Sequence, residues 1–193
     1  MDVLIKLLTK ILFKIEVYNL ENFPMDDKGY IVCSNHISGW DPILLYLYLP
    51  REASFLAKKE LYEKRLVANF LNNHKAIPID RDKPELSSMR ETITLLQQGK
   101  VVGIFPQGTR CESISEDQGK TGISMMSFTA NAPIIPVKID GSMRPFSRVK
   151  IFVGQPIEPI EDKALSKKEM YAEFSRKVMR KIMELGHGNL HCK

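Results

Sequence analysis

The stretch Tyr30–Leu49, YIVCSNHISGWDPILLYLYL, decides how the rest of the chain is read. Its first residues, YIV, form a buried strand by their β-branched and aromatic content. Its last residues, ILLYLYL, are too apolar for a loop, and Pro42 to Leu49 reads as a short helix stopped by Pro50. Between them lies a polar cluster, with His36 and Asp41 five positions apart. Strand, polar turn and helix in so few residues make a βα unit, so further alternating strands and helices should follow.

They do. FKIEVY, ASFLA, AIPI, VVGIF, IIPV and VKIFV read as strands. Helices are expected over 60–73, 84–98 and 122–131, with a last one opened by Ser166 and Glu169 as a capping box and closed at Gly186. The expected fold is α/β: a three-layer sandwich with a central mixed, largely parallel sheet flanked by helices, preceded by an amphipathic N-terminal helix. Residues 1–15 form that helix, 16–186 the domain, and 187–193 a flexible tail. His187, His191 and Cys192 fall in the tail and read as a frayed terminus.

The 193 residues suffice for one domain with a sizeable core. A hydrophobic fraction of 44% and a charged fraction of 26% are ordinary for a globular chain. The net charge of +5 suits an anionic partner without choosing among nucleic acid, a phosphorylated substrate and an acidic membrane surface. Basic and aromatic residues do not interleave, so nucleic acid is not expected. The three cysteines are odd in number and lack metal-type spacing, so they read as free thiols. No secretory signal or spanning helix is expected, because lysines break the N-terminal apolar run and His36 and Asp41 break the next.

In MDVLIKLLTKILFKI, apolar residues recur at helical spacing from Val3 to Ile15, while Lys6, Lys10 and Lys14 share another face. Periodicity alone leaves two readings: a helix packed on the core, or one lying in a membrane interface with its lysines toward headgroups.

In open α/β sheets, ligands gather at the carboxyl ends of strands. After YIVC comes SNHISGWD, after AIPI comes DRD, and after VVGIF comes PQGTR. Asp41 precedes Pro42 and can cap a helix; it can also orient His36, leaving one imidazole nitrogen free to take a proton. Arg81 and Arg110 follow strands and carry the planar fork that grips phosphate in pairs. GIFPQGTR has glycines at phosphate-loop spacing, but Thr109-Arg110 replaces the Lys-Ser/Thr end, and the match is rejected. No nucleophile elbow is present.

Taken in order, the blocks resemble the glycerolipid acyltransferases, in particular the 1-acylglycerol-3-phosphate acyltransferases. NHISGWD is similar to their N-H-x4-D block, AIPIDR to the block ending in a phosphate-binding arginine, FPQGTR to F-P-E-G-T-R, and IIPV to the fourth. The resemblance implies transfer of a fatty acyl group from a thioester to the free hydroxyl of lysophosphatidic acid. The rival readings are another acceptor (glycerol-3-phosphate or a lysophospholipid), a silent lipid- or phosphate-binding protein, and a plain α/β domain.

By the same resemblance, His36 is the base and Asp41 its orienting carboxylate. Arg81 and Arg110 hold phosphate, with Lys120 a third candidate, and amides around Gly108 and Thr109 face the oxyanion. Gln107 replaces the usual glutamate; its amide keeps a carbonyl acceptor, so it is expected to orient substrate rather than carry a proton. Lys75 replaces a common glycine and is expected to add charge near the site. No metal or cofactor is expected, the co-substrate being acyl-CoA or acyl carrier protein. The N-terminal helix is then expected to bind an anionic membrane surface peripherally, on the cytoplasmic face.

Overall fold

The computed structural model describes residues 2–80, 86–111 and 113–186. Among these, α1 (Asp2–Leu12) leads directly into β1 (Phe13–Tyr18). The helical pattern continues to Ile15, but the β-branched run from Phe13 wins the last turn. Then follow β2 (Tyr30–Ser34), α2 (Asp41–Tyr48), β3 (Ala53–Lys58), α3 (Arg65–Asn73), β4 (Ile77–Ile79), α4 (Leu86–Gln97), β5 (Val101–Ile104), α5 (Gly122–Ala130), β6 (Ile134–Gly141), β7 (Ser147–Val153) and α6 (Lys167–Glu184). The helix expected over 60–73 is split: Lys59–Glu63 is a 3-10 turn, and the α-helix starts at Arg65. α5 stops at Asn131, which adopts the left-handed conformation that caps a helix C-terminus. The capping box of Ser166 and Glu169 forms as read.

The seven strands form one sheet in the order β1-β7-β6-β2-β5-β3-β4. Only the β6–β7 pair is antiparallel. β1 and β7 therefore run opposite to the rest. Their amino ends lie on the same rim as the carboxyl ends of β2, β5 and β6.

Helices cover both faces. In the central strand β2 every residue is buried. Tyr30 and Val32 join a core with Leu44 and Leu45 of α2, while Ile31 and Cys33 join one with Met126 of α5 and Phe174, Val178 and Ile182 of α6. A strand buried on both faces explains why YIVC carries no polar alternation. Burial pushes the Cys33 thiol far up, so it stays protonated and packs as a small apolar side chain.

The N-terminal helix is oriented opposite to a core-packed one. Thr9 is its fully buried residue, with its hydroxyl 3.2 Å from the Tyr48 hydroxyl of α2. Lys6 lies over the Tyr48 ring. Leu4, Leu7, Leu8 and Ile11, one helical stripe, are 47–62% exposed. No helix among the described residues is long and apolar enough to cross a membrane.

Candidate active site

Asn35 ends the run of β2 by pairing with β6 through its side chain. Its amide nitrogen donates to the Ile139 carbonyl and its oxygen accepts from the Ile139 N–H, both at 2.8 Å. The chain then turns, and residues 36–41 close on the Asp41 carboxylate. Oδ2 of Asp41 accepts the N–H of Ile37 at 2.6 Å and of Ser38 at 2.7 Å, and lies 2.8 Å from His36 Nδ1. Asp41 is fully buried, and its other oxygen has no partner among the described residues.

This arrangement fixes the imidazole tautomer. Oδ2 already faces two donors and has no hydrogen of its own when ionised, so Nδ1 carries the proton that binds it. Nε2 then presents a lone pair, and no described residue hydrogen-bonds to it. His36 as a whole is 7% exposed. Its ring stacks on Phe105, with centroids 4.1 Å apart and planes within 17°. Phe105, immediately after β5, was not singled out in the sequence. In FPQGTR it reads as the last apolar residue of a strand.

The turn after β5 supplies the remaining groups. Gly108 has φ +71°, a conformation that favours glycine, and the Lys120 ammonium fills the space a side chain there would need. The Gly108 N–H donates to the Phe105 carbonyl at 3.0 Å, so that amide closes the turn. The Thr109 N–H makes no hydrogen bond among the described residues. Arg110 and Lys120 are exposed beside this turn, and neither has an acidic partner among the described residues. Arg81 lies outside the described residues. The sequence reading also passed over the end of β3, which brings Lys58 and Lys59 to the same rim; they pair with Glu60 and Asp80.

Gln107 stands in a polarised chain of hydrogen bonds. The Ser115 N–H, which can only donate, meets Gln118 Oε1 at 3.1 Å. That oxygen accepts from Gln107 Nε2 at 2.8 Å, and the same amide also faces the Ser113 carbonyl at 3.2 Å. Gln107 must therefore present its oxygen at the other end, where it accepts from the His36 N–H at 3.3 Å. Both ends of the amide hold protein groups, so it ties the 113–118 loop to the backbone of His36. The Cys111 N–H donates to the His36 carbonyl at 2.9 Å and completes the clamp.

An apolar cavity of about 280 Å³ lies against Phe105, the ring that stacks on His36. Leu56, Ile79, Met89, Ile123 and Met126 line it, Phe105 is its shared wall with His36, and Lys120 stands at its edge. Lys75 is elsewhere. It precedes β4 and lines a cleft with Ala53 and Val101, at the amino ends of the strands, so the expected added charge near the site is corrected. Its φ of +49° explains why glycine suits the position.

A doubly covered α/β sheet with a His–Asp pair at its carboxyl rim has the make-up of an enzyme site that works by proton transfer. The acyltransferase family model matches residues 14–140, well over half of the chain, and the chain belongs to that family. It is similar to the 1-acyl-sn-glycerol-3-phosphate acyltransferase of Bacillus subtilis, with 34% identity over 89% of this chain and 87% of that protein. The enzyme of the same name from Streptococcus pneumoniae is 29% identical over 73% of this chain and 54% of its own length. The crystal structure of the 1-acyl-sn-glycerophosphate acyltransferase of Thermotoga maritima shares the fold. Its TM-score is 0.69 at 24% identity, covering 93% of this chain and 75% of that one.

Proposed function

We propose that this chain transfers a fatty acyl group from a thioester donor to the free hydroxyl of 1-acylglycerol-3-phosphate, giving phosphatidic acid at a membrane surface. The observation that carries the reading is the buried His36–Asp41 pair, 2.8 Å apart, with the second imidazole nitrogen unengaged among the described residues. The relatives named above bear the name of this activity.

His36 Nε2 removes the acceptor hydroxyl proton as the oxygen attacks the thioester carbonyl. Asp41 stabilises the imidazolium that forms. The tetrahedral intermediate expels the thiolate, which takes the proton back from Nε2. No acyl-enzyme forms, because the acceptor hydroxyl is the nucleophile. The Gly108 N–H is engaged in the turn, so the Thr109 N–H, which has no acceptor among the described residues, faces the oxyanion. Arg110, Lys120 and Arg81 hold the acceptor phosphate, and the apolar cavity takes a fatty chain. Gln107 keeps an acceptor oxygen in the site, held so as to support the His36 backbone. The donor is acyl-CoA or acyl carrier protein.

The acceptor is a bilayer lipid, and the exposed stripe of α1 suits an enzyme resting on that bilayer. Apolar residues enter the interface while Lys10 and Lys14 meet anionic headgroups, at about 1 kcal/mol per lysine. Purified chain should be assayed with a thioester donor and, separately, lysophosphatidic acid, glycerol-3-phosphate and lysophosphatidylcholine. Phosphatidic acid should dominate. Equal rates on the phosphocholine acceptor would refute the phosphate-monoester reading.

A further inference from the structure

We propose that the turn between β6 and β7, residues 142–146, is a second membrane anchor, inserting the Phe146 ring into an anionic bilayer beside the active-site rim. The inference rests on the reading that the enzyme works on bilayer lipids. It adds an element that the amphipathic helix does not supply.

Topology puts the turn in the right place. β6 ends at Gly141 and β7 starts at Ser147, so the turn lies on the rim that holds His36. Asn35, next to His36, is latched to Ile139 at the end of β6. The turn also joins the N-terminal helix: the Phe146 N–H donates to the Leu12 carbonyl. Ile11, the last residue of the exposed stripe, is the neighbour of Leu12. The turn is therefore tied through its backbone to the C-terminal end of α1.

The ring is held outward by a built turn. Phe146 is 71% exposed and has φ +65°, a backbone region that bulky residues rarely adopt. The Ser147 hydroxyl faces the carbonyls of Ser142 and Arg144, and the Ser147 N–H donates to Arg144 at 3.1 Å. Met143 packs inward against the core, which seats the turn.

Charge selects the partner. Arg144 in the turn, Lys14 near the start of β1 and Lys10 in the last turn of α1 are exposed. Arg148 lies beside Lys14 across β1 and β7 and pairs with Glu16 at 3.2 Å, which neutralises that acid. Asp140, exposed at the end of β6, is the acid nearest the turn in sequence. A projecting aromatic ring with a cationic surround fits an interface of apolar tails and anionic headgroups.

The test uses the full chain and vesicles of equal parts phosphatidylcholine and phosphatidylglycerol. Phe146→Asn removes the ring and suits the left-handed backbone, so it should fold with an unchanged melting temperature. Its vesicle binding should weaken about tenfold, since partial loss of one buried aromatic is worth that factor. Turnover should fall on vesicle-borne acceptor and stay unchanged on a short-chain, monomeric one. Phe146→Trp should bind like the parent. Parental binding by Phe146→Asn, with binding lost in Leu7→Asp, would assign docking to α1 alone and overturn the proposal. A change in oligomeric state without a change in vesicle binding would reassign the ring to a protein contact. Failure of the parent itself to bind vesicles would remove the membrane reading underneath.

Discussion

Asp41 and His36 are joined through one carboxylate oxygen that also takes two backbone N–H groups, of Ile37 and Ser38. The carboxylate is thus the centre of the turn as well as the partner of the imidazole. Its two roles can be separated by substitution.

Asp41→Asn should keep its amide oxygen where Oδ2 lies, because Ile37 and Ser38 still donate there. Nδ1 then keeps its proton, and what is lost is the negative charge opposite the imidazolium. Its turnover should fall about 10²-fold, at the low end of what base catalysis contributes. The new amide hydrogens replace the unpartnered oxygen and cost about 1–3 kcal/mol of stability. Asp41→Ala frees all three donors and should lose more of both. Turnover and thermal unfolding, measured on the same samples, check the split.

Gln107→Glu would set a carboxylate against the Ser113 carbonyl and Gln118 Oε1, two acceptors. Stability should drop by about 1–3 kcal/mol, while the rate at a permissive temperature changes less than about tenfold. Burial among acceptors raises the folded pKa of such a glutamate. Its deficit is therefore absent below the unfolded value of about 4.3 and grows as pH rises. Thermal melts at pH 5 and pH 8 should diverge from the parent most at pH 8.

Phe105→Leu removes the ring stacked on His36 and reshapes one wall of the cavity. An aromatic contact of this kind is worth about 0.5–1.5 kcal/mol, so turnover should fall by roughly 2- to 10-fold. Preference among thioesters of different chain length should shift at the same time. An unchanged chain-length profile would separate this wall from the fatty chain.

Arg110→Ala and Lys120→Ala should each raise the KM for the phosphorylated acceptor and leave the donor KM nearly unchanged. A charge-assisted contact contributes about 1.5–3 kcal/mol, or roughly 10–100-fold. A selective rise in the donor KM would move these cations to the coenzyme or carrier.

The strands and helices were legible because Tyr30–Leu49 states its fold in a few residues: buried strand, polar turn, buried helix. His36, Asp41, Gly108 and Arg110 were legible because they follow strands. Other features depend on tertiary neighbours. The stack of Phe105 on His36 needs β2 beside β5, and Gln118 meets Gln107 only once the loop folds back. Periodicity alone left the outward stripe of α1 undecided, since core-packed and interfacial helices share one pattern; Thr9 on Tyr48 shows which side packs. Lys75 read as a charge near the site because its block is near in sequence, yet it lies at the opposite ends of the strands.

The central claim is that His36 is the general base of acyl transfer to lysophosphatidic acid. The direct measurement compares steady-state phosphatidic acid formation by the parent and His36→Ala, on identical vesicles and at saturating thioester. The account predicts a fall in turnover of about 10²–10⁴-fold, with melting temperature and vesicle binding unchanged. Turnover by His36→Ala within a few-fold of the parent would contradict it.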